Sequence, residues 1–127
     1  MPPQDLSRVP NAALPSKSSV AIYRFPGGGG LLWAVATSAD KSLDFVGQTR
    51  ATLAALDEHL RRAGVDRSRL VRAEVIVTDH DNKPAFDEVW ASWAVDGHGP
   101  VRSFVQSVMP EGDLIEIIIT AALPEPV

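Results

Sequence analysis

The sequence predicts a two-layer α+β domain, a mostly antiparallel sheet with two helices on one face. Three patterns carry that expectation. Apolar residues between Leu43 and Ala63 recur at steps of three, four and seven, the spacing of one helix face. The segment Ser68–Thr78 alternates with period two, as a strand does. The run from Leu114 to Leu123 is almost wholly hydrophobic, as a central strand would be. A chain of 127 residues with one such set of elements builds one domain around one core.

The elements follow in order. Residues 1–18 hold four prolines and no periodicity, and read as an N-terminal arm ahead of a single domain over 19–123. Ser19–Phe25 is a strand candidate. Pro26 and the four glycines 27–30 break it, and the apolar run Leu31–Ala36 follows. Four glycines invite a phosphate-loop reading, but no Gly-Lys-Ser/Thr follows and the next run is strand-like, so a hairpin turn is expected. In the first helix Phe45, Val46, Leu53, Leu56 and Leu60 form the apolar face, and Gly64 closes it as the C′ residue.

In the next strand Val71, Ala73, Val75 and Val77 face one way and Arg72, Glu74, Ile76 and Thr78 the other. Asp79-His80-Asp81-Asn82 is a turn that caps a second helix with Pro84 in its first turn. That helix carries Phe86, Val89, Trp90 and Trp93 on one stripe, read as core anchors. The last two strands, Val101–Gln106 and Leu114–Leu123, read as a hairpin turning at Met109–Asp113, which completes β-β-α-β-α-β-β.

Composition removes several function classes. The net charge of −4, without a basic block, argues against a grip on nucleic acid or an anionic membrane. With no cysteine there is no disulfide, zinc–thiolate site or thiol nucleophile. His59, His80 and His98 stand 21 and 18 residues apart, which matches no metal-ligand spacing; His59 falls on an exposed helix face. No apolar run approaches the roughly 20 residues of a membrane-spanning helix, and the first residues lack the pattern of a signal peptide. The expected location is cytoplasmic.

Chemistry concentrates in two charges. Glu116 interrupts Leu114-Ile115-Glu116-Ile117-Ile118-Ile119, where an unpaired buried carboxylate would cost several kcal/mol. It must be partnered, protonated or beside a wet cavity, unless the strand is covered on one face only and Glu116 meets solvent. In the hairpin register Arg102 opposes Thr120 and Glu116 opposes Gln106. The two charges then share a face, roughly 13 Å apart along the strands. They are either separate surface charges or the two ends of one cleft that admits a small ligand. Arginine suits such an anchoring role because its planar fork grips a carboxylate at two points. The same register shows Arg72, Glu74 and Ile76 beside Arg102, Phe104 and Gln106 on the face without helices. That surface is too apolar to be fully solvated, and oligomerisation with facing sheets would cover it.

The stretches GQTRATLAALDEHLRRAGVDRSRLVRAEVIVTD, FDEVWASW and PVRSFVQ…MP…LIEIIITAA resemble the Rid family, the reactive-intermediate (enamine/imine) deaminases formerly called L-PSP endoribonucleases or translation inhibitors. The match runs in order over residues 43–122, and is nearest to a shorter branch with Trp-x-x-Trp and Gly-His-x-Pro-Val-Arg. The resemblance implies a chorismate-mutase-like fold, a homotrimer with clefts between subunits, and hydrolysis of small carboxylate-bearing imines to 2-keto acids and ammonia without a cofactor. It makes Arg102 the carboxylate anchor and Glu116 the residue that activates water.

It also marks departures. The Ser-Gly-Gln signature is absent, with Ser38 or Val35 in the serine's place. Asp87 stands for an asparagine, Phe104 for a frequent cysteine and Ile118 for a second glutamate. No aromatic residue marks the start near Lys17-Ser18. With Ser38, Asp87 and Phe104 as pocket residues, a non-catalytic trimer that binds small carboxylates is the alternative. An acidic chain without a His/Lys pair argues against a ribonuclease.

Overall fold

A computed structural model of the chain describes residues 5–125. Eight regular elements follow one another: β1 (Leu6–Pro10), β2 (Ser18–Arg24), β3 (Gly30–Thr37), α1 (Phe45–Arg62), β4 (Leu70–Val77), α2 (Lys83–Trp93), β5 (Val101–Gln106) and β6 (Ile115–Leu123). The strands form one sheet in the order β1-β2-β3-β6-β4-β5, antiparallel except for the parallel pair β4–β5. Both helices lie on one face, the two-layer arrangement expected.

Local sequence explains the boundaries. The glycine run is a turn between β2 and β3, and a Cβ on Gly30 would collide with the Tyr23 carbonyl oxygen. Asp44 caps α1 by accepting a hydrogen bond from the Gly47 amide at 2.8 Å. Gly64, at φ +77°, ends it. Between the layers Leu32, Leu56, Leu60, Phe86, Ile115, Ile117 and Ile119 are fully buried. Each contributes roughly 1.5–3 kcal/mol relative to an exposed side chain.

Three expectations require correction. Leu6–Pro10 is not loose chain but an edge strand paired with β2; the arm's first four residues lie outside the described residues. Its signal is weak because only pairing, not burial, defines it: four of its five residues are exposed. Second, a bulge between Leu70 and Arg72 turns Leu70 into the core and leaves Val71 47% exposed.

Third, β5 and β6 are not a hairpin. β4, α2 and β5 form a strand–helix–strand unit, which sends β5 to the outer edge of β4, and the chain then crosses back to insert β6 between β3 and β4. The most apolar strand thereby takes the centre. In β6 the odd residues from Ile115 to Leu123 are buried and the even ones half-buried, so the sheet is covered on one face only. Among the described residues no helix is long and apolar enough to cross a membrane.

Candidate functional site

The new strand order moves the two charges. Glu116 aligns with Thr37 on β3 and Ile76 on β4, all on the face without helices. Arg102 aligns with buried Ala73 and reaches across the edge of the sheet to α2. Their side chains therefore lie on opposite faces, which corrects the shared face read from a hairpin. The uncovered face carries Val101, Ser103 and Val105 of β5 rather than Arg102, Phe104 and Gln106. It is more apolar than expected: Val101 is 76% exposed and Trp33 38%.

Glu116 opens onto a hollow of about 560 Å³ whose walls include Lys17, Trp33, Val35, Thr37, Asp113 and Ile118. Strand alternation puts Val35 and Thr37 there. Ser38, beyond the strand's end, is instead fully buried, and its hydroxyl donates to the Asp40 carbonyl at 2.9 Å. Ser38 is thus a structural residue; Thr37 stands beside the glutamate and Val35 lines the same hollow two residues back. Lys41 braces this rim by donating to the Thr37 hydroxyl (3.3 Å) and the Ser38 carbonyl (2.5 Å) and by pairing with Asp113. Thr37, Trp33 and Lys17 had no motif to mark them; the alternation of β3 was the available signal for the first two.

The second half-site is built on β5 and α2. Arg102 Nη2 donates to Asp87 Oδ1 at 2.8 Å, and the guanidinium lies 5.2 Å from the Phe86 ring centre and 5.5 Å from that of Trp90. Phe104, two residues along β5, packs against Phe86 and His80 with both ring centres at 5.2 Å. The other Asp87 oxygen accepts from Lys83 at 2.8 Å. Burial pushes the Asp87 carboxyl up, but hydrogen bonds from Lys83 and Arg102 outweigh it and hold the group below the usual carboxylate value. Among the described residues, Arg102 Nε and Nη1 make no hydrogen bond and Asp87 takes one of the two Nη2 protons, which leaves one two-point edge of the fork free. The structure thus joins Arg102, Phe104 and Asp87, and keeps Glu116 and Ser38 apart from them.

The remaining polar residues are mainly architectural. Trp93 Nε1 donates to Asp57 at 3.0 Å, and Arg67 grips Asp57 at 2.7 and 2.8 Å, which ties α1 to α2. Trp90 belongs both to the aromatic cluster and to the arginine's bed. His59 is half-buried rather than exposed, and burial followed by Arg62 lowers its pKa. No group of three or more potential metal ligands occurs among the described residues.

Gln48 locates the Glu116 strand. Its side-chain amide donates to the carbonyls of Gly112 (2.9 Å) and Leu43 (3.2 Å), and its oxygen accepts from the Leu114 amide at 3.0 Å. It thereby clamps the start of β6 to the start of α1. Gln48→Leu leaves these part-buried backbone groups without their partner, so a loss of about 2 kcal/mol is expected in urea unfolding at unchanged m-value.

Residues 33–123 match the family described as Endoribonuclease L-PSP. Over 77 residues the chain is 36% identical to the RutC family protein YoaB of Escherichia coli K12, covering 60% of this chain and 68% of that one. A solved structure from Salmonella typhimurium is 27% identical with a TM-score of 0.78, covering 95% of this chain and 100% of that chain. YyfA of Yersinia pestis, from the conserved Rid protein family, shares the fold at TM-score 0.76 and 24% identity, over 93% of this chain and 99% of the other.

Proposed function

We propose, from the premise that the chain belongs to the endoribonuclease L-PSP (Rid) family, that it hydrolyses small carboxylate-bearing enamines and imines to 2-keto acids and ammonia. The reaction uses no cofactor and takes place at clefts between subunits of a cytoplasmic homotrimer. One observation carries this reading: the free edge of Arg102, backed by Asp87 and two aromatic rings, together with a carboxylate hollow on the uncovered face of the same fold. Because those features face opposite ways in one chain, a complete site takes Arg102 from one copy and Glu116 from another. The apolar side chains around Glu116 supply a reason to associate, since covering Trp33, Val105 and Val101 removes them from water.

In the cleft the free edge of the Arg102 fork holds the substrate carboxylate and fixes the imine carbon. Glu116 takes a proton from water as its oxygen bonds to that carbon, and the nitrogen gains a proton to give a carbinolamine. The hydroxyl proton then passes to the nitrogen, which leaves as ammonia as the carbon–nitrogen bond breaks and the carbonyl forms. Ammonia and a 2-keto acid leave, so atoms and electrons balance without a redox partner.

The direct assay couples the protein to a pyridoxal-phosphate threonine dehydratase that releases the imine. Adding the protein is expected to accelerate formation of 2-oxobutanoate. An unchanged rate at saturating protein contradicts the proposal. The apolar Val35 and Ile118 beside Glu116 favour one second reading, a carboxylate-binding trimer without turnover. It predicts stabilisation by 2-oxobutanoate alone, because a ligand confined to the folded state raises Tm.

A further inference from the structure

We infer that Asp87 is a built-in rival for the ligand's carboxylate, a positioning residue that holds one edge of Arg102 and weakens its grip on anions. This rests on the reading of Arg102 as the carboxylate anchor. The contact is a charged hydrogen bond of 2.8 Å from Nη2 to Oδ1, between side chains 22% and 40% exposed.

A guanidinium presents five donors in a plane, and a carboxylate engages it best along an edge. Both two-point edges of the fork, Nε with Nη2 and Nη1 with Nη2, include Nη2, so Asp87 takes part of one and an incoming carboxylate is left with the other. It approaches with an aspartate already beside the same cation. Asp87 stays ionised across the neutral range, since its carboxyl is held below the usual value, so the competition is not relieved at working pH.

Lys83 tempers the effect by taking the second aspartate oxygen at 2.8 Å. The stacked rings of Phe86 and Trp90 keep the guanidinium in place without the aspartate. An uncharged residue at 87 would therefore leave the arginine positioned and remove its rival. For a hydrolase, the consequence is rapid release of the keto-acid product.

The test titrates 2-oxobutanoate calorimetrically into the wild type, Asp87→Asn and Arg102→Ala, with KM and kcat measured for the same proteins. Asp87→Asn is expected to bind about tenfold more tightly, with KM falling in parallel and kcat within about threefold; screening at this partly exposed site limits the gain. Unchanged or weaker affinity overturns the inference, because a purely structural aspartate would move Tm and not Kd. If the asparagine variant does not fold, Asp87→Ser, smaller and uncharged, gives the same comparison. Wild type and Arg102→Ala binding equally, or no protein binding at all, overturns the reading of Arg102 itself. Wild-type binding that Arg102→Ala loses and Asp87→Asn fails to strengthen removes only the role given to Asp87.

Discussion

Glu116→Gln is expected to lower kcat for imine hydrolysis by about a hundredfold or more while 2-oxobutanoate affinity stays within about threefold. Glutamine keeps the shape and the hydrogen-bonding capacity of the side chain but accepts no proton from water. The position is half-buried on the uncovered face, between Thr37 and Ile76 in neighbouring strands, so the isosteric change leaves the core of the sheet intact. Coupled steady-state rates and a calorimetric titration on one preparation separate turnover from binding. A variant with undiminished kcat assigns proton transfer to another group.

Arg102→Ala has the complementary signature. Keto-acid binding is expected to weaken by about a hundredfold or more, and kcat/KM to fall at least as far, because the fork placed to take the carboxylate at both oxygens is gone. The fold should survive. Asp87 keeps Lys83, and the rings of Phe86 and Trp90 lose a cation but stay packed, for a cost of about 1 kcal/mol. Arg102→Lys, which retains charge without the planar fork, should recover only a small part of the binding. Alanine and wild-type proteins with equal titration curves would remove Arg102 from the site.

The residues announce the elements better than their neighbours. Both amphipathic helices, the Gly64 that ends the first and the central place of β6 are legible because these are local signals. The expected capping of α2 is not borne out, since Asn82 makes no side-chain cap bond and Asp79 caps the short turn before it. Pairing is not local. β5 and β6 look like a hairpin because a turn-rich stretch, Ser107–Asp113, joins two apolar runs. The overriding fact lies further back: β4, α2 and β5 make a strand–helix–strand unit, a crossover long enough to set β5 parallel beside β4.

One misplaced pairing then reversed the sidedness of Arg102 and Phe104, since a strand's side chains exchange faces with every residue. The bulge at Val71 and the edge strand Leu6–Pro10 were hidden for the same reason. Each exists through a partner strand and leaves little trace in hydrophobicity. Arg102 and Glu116 could be picked out as unusual residue types in apolar strands. That they face away from each other in one chain could be learned only from the register.

That opposition makes the central claim open to a direct test by mixing two inactive proteins. Arg102→Ala and Glu116→Gln chains are co-expressed with different tags, mixed oligomers are purified through both tags, and keto-acid release is compared with each variant alone. If each site joins the arginine of one chain to the glutamate of the next, every mixed trimer carries one intact site in three, and activity should recover to about a third. Mixed oligomers no more active than the parent variants, or a protein that stays a monomer at assay concentrations, would contradict a site shared between chains.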